Sequence, residues 1–129
     1  MVWVDLVTLL AALQFFWFAF LVGKARMRFG IAAPATTGHV EFDRYFRVQQ
    51  NTLETLIMFL PALWVAAHYW NAAWMALIGV VYLVGRVFYL FGYVRDPRSR
   101  SLGYGLSIAP VGVLILFGLV GIARAIFNS

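Results

Sequence analysis

The sequence contains no cysteine, so disulfides, thiolate nucleophiles and cysteine-based metal or redox centres are excluded. Its only two histidines, His39 and His68, show no HxxxH or HExxH spacing, and no protein-built metal site is expected. Charge is scarce as well: 12% of residues are charged and only five are acidic. In their place, 64% of the 129 residues are hydrophobic and 18% aromatic, with a mean hydropathy of +0.85. This composition excludes an ordinary soluble domain and reads as an integral membrane protein. A chain of this length supplies about four spans of roughly 20 residues with short connections. The expectation is therefore all-α, a four-helix transmembrane bundle, with residues 1–129 forming a single membrane domain.

The first apolar run, Leu6 to Gly23, ends at Lys24, Arg26 and Arg28. No basic residues precede it, as they would in a cleaved leader, so it reads as a retained span. Gly30, Pro34, Thr36, Thr37 and Gly38 are loop signals. A second helix follows from about Glu41 to Tyr69, with Thr37 or Gly38 at its start and a kink expected at Pro61. Asn71 is the best turn residue before a third helix, Ala72 to Tyr93, and Pro97 marks a loop or a new helical start. The fourth helix runs from about Leu102 to Ile126, and its glycines at 103, 105, 112, 118 and 121 point to close helix contact.

In a soluble protein the net charge of +5 would raise the question of nucleic acid, but here the basic residues are topology signals. Lys24, Arg26, Arg28, Arg44, Arg47, Arg95, Arg98 and Arg100 fall at one set of span ends, with little more than Arg124 at the other. The positive-inside rule then places the two basic connections in the cytoplasm and both termini on the opposite side.

Polar residues inside spans are costly and call for a reason. On the second helix Arg44, Arg47, Asn51 and Glu54 share one helical face, with Gln50 beside them and Phe46, Leu53, Ile57 and Leu60 opposite. On the third, Tyr82, Arg86, Tyr89 and Tyr93 form a second stripe. Two readings are open. The stripes hold the bundle together, with Arg86 as the partner of Glu54 or of a helix-end carbonyl, or they line a binding site. Arginines take carboxylates in bidentate fashion and Glu54 can receive an ammonium, so such a site suits a small zwitterion with extra carboxylates beside an apolar wall. The basic clusters also read as topology determinants and anionic-lipid contacts.

The stretches "EFDRYFRVQQNTLETLIMFLPALWVAA" and "VYLVGRVFYLFGYVRDPRSRSLGYGLS" carry an RxxxNxxE element and a YxxGYxRxxxxR element. Over about residues 22 to 110 the chain resembles the membrane-associated proteins in eicosanoid and glutathione metabolism, which include the microsomal glutathione transferases and the leukotriene-forming synthase. The resemblance implies four transmembrane helices per subunit and a homotrimer with sites between subunits that open toward the cytosol. It also implies glutathione as thiol substrate and a hydrophobic electrophile from the membrane. By position, Arg47, Asn51 and Glu54 match glutathione-binding residues of the second helix and Tyr89 and Tyr93 those of the third. Arg100 matches the arginine that lies near the glutathione sulfur in thiol-activating members, while Gln50 and Arg26 match less closely. Thr55 and Met27 depart from the synthase, which has a tyrosine and a second basic residue there. The family also includes members that bind lipid-like ligands or partner proteins without catalysis, so a non-catalytic membrane-embedded lipid or glutathione binder is the alternative to a transferase.

Overall fold

The computed structural model describes all 129 residues and contains four long helices: α1 (Val2–Phe29), α2 (Val40–Tyr69), α3 (Ala72–Arg95) and α4 (Ser101–Phe127), with a 3-10 turn at Pro97–Arg100 leading directly into α4. All four are long and apolar enough to cross a membrane, and the chain is an all-α, multi-pass membrane protein. On α1, Val4, Val7, Ala11, Phe18, Val22 and Ala25 recur at steps of three, four or seven residues and pack inward, while Leu9, Leu13, Phe16 and Phe20 face outward. A helix apolar on both faces is what a lipid environment requires.

The ends follow from local chemistry. Gly30 closes α1 in the left-handed conformation (φ 67°), its N–H donating to the Arg26 carbonyl. His39, rather than Thr37 or Gly38, caps α2: its Nδ1 accepts the Glu41 N–H at 3.1 Å and its ring stacks on Phe29 at 3.7 Å. The Asn71 side chain accepts the Trp74 N–H at the start of α3, as its place in the sequence leads one to expect. Helix α2 continues through Pro61 to Tyr69.

Lipid offers helices little hydrophobic drive to associate, so close packing and internal hydrogen bonds carry the load. Helices α3 and α4 approach backbone to backbone. A Cβ on Gly85 would sit 2.6 Å from the Ser107 nitrogen, and one on Gly103 would collide with the backbone of Tyr89. Gly118 and Gly121 of α4 meet α2 at Val65 and Tyr69, whereas Gly105 and Gly112 face open space and make no such contact. Helix α1 joins through side chains: Gln14 donates to the Leu83 carbonyl (2.9 Å), Trp64 donates to Thr8 (3.0 Å), and Val4, Val7 and Ala11 enter the main apolar core with Phe59 and Leu63. At the basic end, Arg44 Nη1 donates to the carbonyls of Val94 (3.0 Å) and Arg95 (3.2 Å), tying the start of α2 to the end of α3.

The polar stripe on α2 does not lie inside the bundle. The inward face is Phe42, Val48, Thr52, Thr55, Phe59 and Leu63, while Arg47 and Glu54 are exposed and Arg44, Gln50 and Asn51 half-buried. Leu53 and Ile57, on the opposite side, are exposed too. Helix α2 meets all three other helices along one face only, which leaves the stripe along the edge of the bundle.

Candidate functional site

Two hollows flank the segment that begins α4. The larger, about 550 Å³, is walled by Trp17, Leu21, Phe88, Phe91 and Leu102 and is almost wholly apolar. The other, about 490 Å³, is lined by Arg47 and Asn51 from α2, Tyr89 and Tyr93 from α3, and Arg100, Ser101, Tyr104 and Gly105 from the 3-10 turn and first turns of α4. The first has Arg95, Ser99 and Tyr45 in its wall, but only the second brings two guanidiniums together with three tyrosines, and it is the candidate site.

Its walls follow from periodicity. Arg47 and Asn51 are one turn apart on α2, as are Tyr89 and Tyr93 on α3 and Arg100 and Tyr104 at the start of α4. The Tyr89 and Tyr93 rings stack at 5.5 Å, and Tyr104 tilts against Tyr89 at 6.3 Å. Neither Arg47 nor Arg100 has a hydrogen-bond or ion-pair partner within the subunit, and no carboxylate lines the cavity. Free guanidiniums, phenols and the positive end of a helix define a place for an anion.

Beneath this lining lies Arg86, completely buried. It pairs neither with Glu54 nor with a helix-end carbonyl. Its Nη1 donates to Asn51 Oδ1 (2.8 Å) and Thr52 Oγ1 (3.1 Å), its Nε donates to Ser107 Oγ (2.9 Å), and its guanidinium carbon sits 4.4 Å from the centroid of the Tyr89 ring. Ser107 in turn donates to the Gly103 carbonyl at 2.6 Å. Nη2 is buried without a partner.

Five sequence-derived candidates thus converge: Arg47, Asn51, Tyr89, Tyr93 and Arg100. The other three do not reach the cavity. Arg26 donates to the Ala35 carbonyl (2.7 Å) and lies over Phe42 at 4.9 Å, bracing the α1–α2 connection. Gln50 and Glu54 make no side-chain hydrogen bond, and Glu54 is exposed on the outside of the bundle. Sequence reasoning missed Ser101 and Tyr104. The available signal was spacing, since Tyr104 follows Arg100 by one turn once Pro97 is taken as the start of a helical segment. Of the two departures, Thr55 is buried, bonded to Tyr82 at 2.8 Å and to the Thr52 carbonyl, and Met27 is 86% exposed at the end of α1.

Residues 4–120 match the model of the MAPEG family. Human microsomal glutathione S-transferase 2 is 39% identical over 123 residues, an alignment spanning 95% of this chain and 84% of that one. An uncharacterised protein of Synechocystis is 38% identical over 122 residues (95% and 89%), and leukotriene C4 synthase of Cavia porcellus is 38% identical over 128 residues (92% and 85%). A polytopic helical protein with a cationic, tyrosine-lined cavity at one end of its bundle is thereby placed: the chain belongs to the MAPEG family.

Proposed function

We propose that the protein is a glutathione transferase that joins glutathione to hydrophobic electrophiles drawn from the membrane, with a detoxifying role and peroxidase activity as a second outcome of the same chemistry. The observation that carries this reading is the convergence of Arg47, Asn51, Tyr89, Tyr93 and Arg100 on one anion-suited cavity in a chain similar over most of its length to a microsomal glutathione S-transferase. Glutathione brings carboxylates for the guanidiniums and a thiol, which the cysteine-free chain itself lacks.

In this reading Arg47 and Asn51 hold the peptide, Tyr89 and Tyr93 wall it, and Arg100 stands by the sulfur. A thiol ionises near pH 8.5 and only the thiolate is a competent nucleophile, so a neighbouring cation raises the reactive fraction at pH 7. The thiolate then attacks the electrophilic carbon, a C–S bond forms, and the leaving group departs with the bonding pair. Arg26, Gln50 and Glu54 are assigned to contacts across a subunit boundary in a homotrimer, Glu54 receiving the peptide ammonium. The basic end and the cavity face the cytoplasm and both termini the opposite side, following the charge bias.

Purified protein with glutathione and a panel of aromatic and lipid-hydroperoxide electrophiles is expected to turn over, and Arg100→Ala to lower turnover more than binding. Absence of both activities above background would leave a glutathione or lipid binder instead. Native mass measurement in mild detergent tests the trimer, against which a stable monomer with full glutathione affinity would count.

A further inference from the structure

Arg86 poses a problem that the proposed chemistry does not use. A guanidinium sealed in a membrane-spanning bundle is costly unless paired, yet every partner it has in the subunit is neutral: an amide, two hydroxyls and an aromatic face. Bundle cohesion alone is met more cheaply by hydroxyls, as Thr55 and Tyr82 show one turn away. What distinguishes the Arg86 contacts is whom they reach. Asn51 and Tyr89 are both lining residues of the cavity, on different helices, and Ser107 anchors the same guanidinium to α4.

The chemistry at Asn51 is directional. An arginine has only donors, so the atom it meets at 2.8 Å must be the amide oxygen. With Oδ1 held from below by Arg86, the amide is oriented, and its Nδ2, which has neither a partner in the protein nor a place among the sealed polar atoms, is the group left to donate into the cavity. An asparagine free to rotate offers an acceptor as readily as a donor. One pinned in this way keeps its oxygen turned to Arg86 and presents its Nδ2 hydrogens. Tyr89 is held similarly, between the guanidinium on one side and the Tyr93 ring on the other.

We infer that Arg86 is a positioning residue for the cavity: by holding Asn51 Oδ1 and lying against Tyr89 it turns the donor side of Asn51 to the cavity, favouring an acceptor oxygen of the ligand, carboxylate or peptide carbonyl, over a donor. This rests on the glutathione reading above and gives that site its polarity. It also accounts for an arginine where a lysine would supply the same charge, because a single ammonium cannot span Asn51, Thr52 and Ser107 in a fixed plane.

The test is a double-mutant cycle read by glutathione titration calorimetry on the full protein in detergent, with the melting temperature of each unliganded variant recorded alongside. Wild type binds; Asn51→Ala and Arg86→Lys each weaken binding by about tenfold, the scale of one lost hydrogen bond to a charged group. The double variant binds no worse than Asn51→Ala alone, because Arg86 acts through Asn51. Arg86→Lys retains the charge, so loss of affinity in it separates placement from field. A purely structural arginine gives additive losses, and that result overturns the proposal. Asn51→Asp provides a check that leaves Arg86 in place: a carboxylate beside the guanidinium raises the melting temperature of the unliganded protein while abolishing glutathione binding. An unchanged affinity in Asn51→Asp also overturns it. A wild type with no glutathione affinity instead overturns the functional reading itself, an outcome distinct from an additive cycle in a protein that binds.

Discussion

Gly103 of α4 lies directly against the backbone of Tyr89 of α3, so close that no side chain fits between them. The contact joins the segment carrying Arg100 and Tyr104 to the helix carrying Tyr89 and Tyr93, and it sets the width of the cavity between them. Gly103→Val should force α3 and α4 apart, at a cost of about 1–3 kcal/mol in stability for an overpacked contact. It should also weaken glutathione binding although the residue touches no ligand. Gly112→Ala, farther along α4 in open space and away from the cavity, serves as the control and should change neither.

Glu54 has no partner in its own subunit, which removes the alternative that it neutralises Arg86. Glu54→Gln should therefore leave the unliganded melting temperature nearly unchanged and weaken glutathione binding by roughly 1 to 3 kcal/mol. Millimolar glutathione should raise the melting temperature of wild type and do so far less in the variant, since a ligand that binds only the folded state stabilises it once above its dissociation constant. A destabilised unliganded Glu54→Gln protein would contradict this assignment.

Tyr104 closes the cavity from α4 without a hydrogen bond to the protein. Tyr104→Phe keeps the ring and its contact with Tyr89, so any loss of glutathione affinity in it belongs to the hydroxyl. We expect a fall of a few-fold in Tyr104→Phe and a larger one in Tyr104→Ala, measured by calorimetry.

Asp96 caps the 3-10 turn that presents Arg100. Its carboxylate accepts the Arg98 N–H at 3.1 Å and faces the Arg98 guanidinium, and these interactions, the backbone bond first, hold its pKa below the ordinary 3.8. A depressed carboxylate stabilises the folded turn at pH values above its unfolded pKa and loses that contribution as pH falls through the folded value. Amide protection factors at Arg98 to Arg100 should thus be constant above about pH 5 and fall below about pH 4. Asp96→Asn, which keeps the acceptor and removes the titration, should flatten that dependence, and Asp96→Ala should lower protection at every pH.

The residues that made the fold legible were those whose spacing reports a helix face. Arg47 with Asn51, and Tyr89 with Tyr93, are one-turn pairs on long helices, and their rows meet because α2 and α3 are neighbours. Helix ends were less legible: α1 runs on through Lys24, Arg26 and Arg28 to Phe29, since hydropathy records the thickness of the apolar slab and not where backbone hydrogen bonding stops. Tyr104 lay inside the expected fourth helix, but its link to Arg100 runs through the 3-10 turn, which a helix begun at Leu102 leaves out. Nothing in the spacing told which side of α2 would be covered, and so the sequence left Asn51 and Glu54 on one stripe although the first is clasped by Arg86 and the second faces away.

Helix α1 takes no part in the hydrogen bonds that clasp α2, α3 and α4 around Arg86. In unfolding terms the chain should therefore behave as two units of unequal strength. Three helices share a polar knot, whereas α1 is held by van der Waals contact, the bonds at Gln14 and Thr8, the exposed Arg28–Glu41 pair and the Phe29–His39 stack. Sub-global opening should begin there, and native-state hydrogen exchange should find the α1 amides opening at a lower free energy than those of the other three helices.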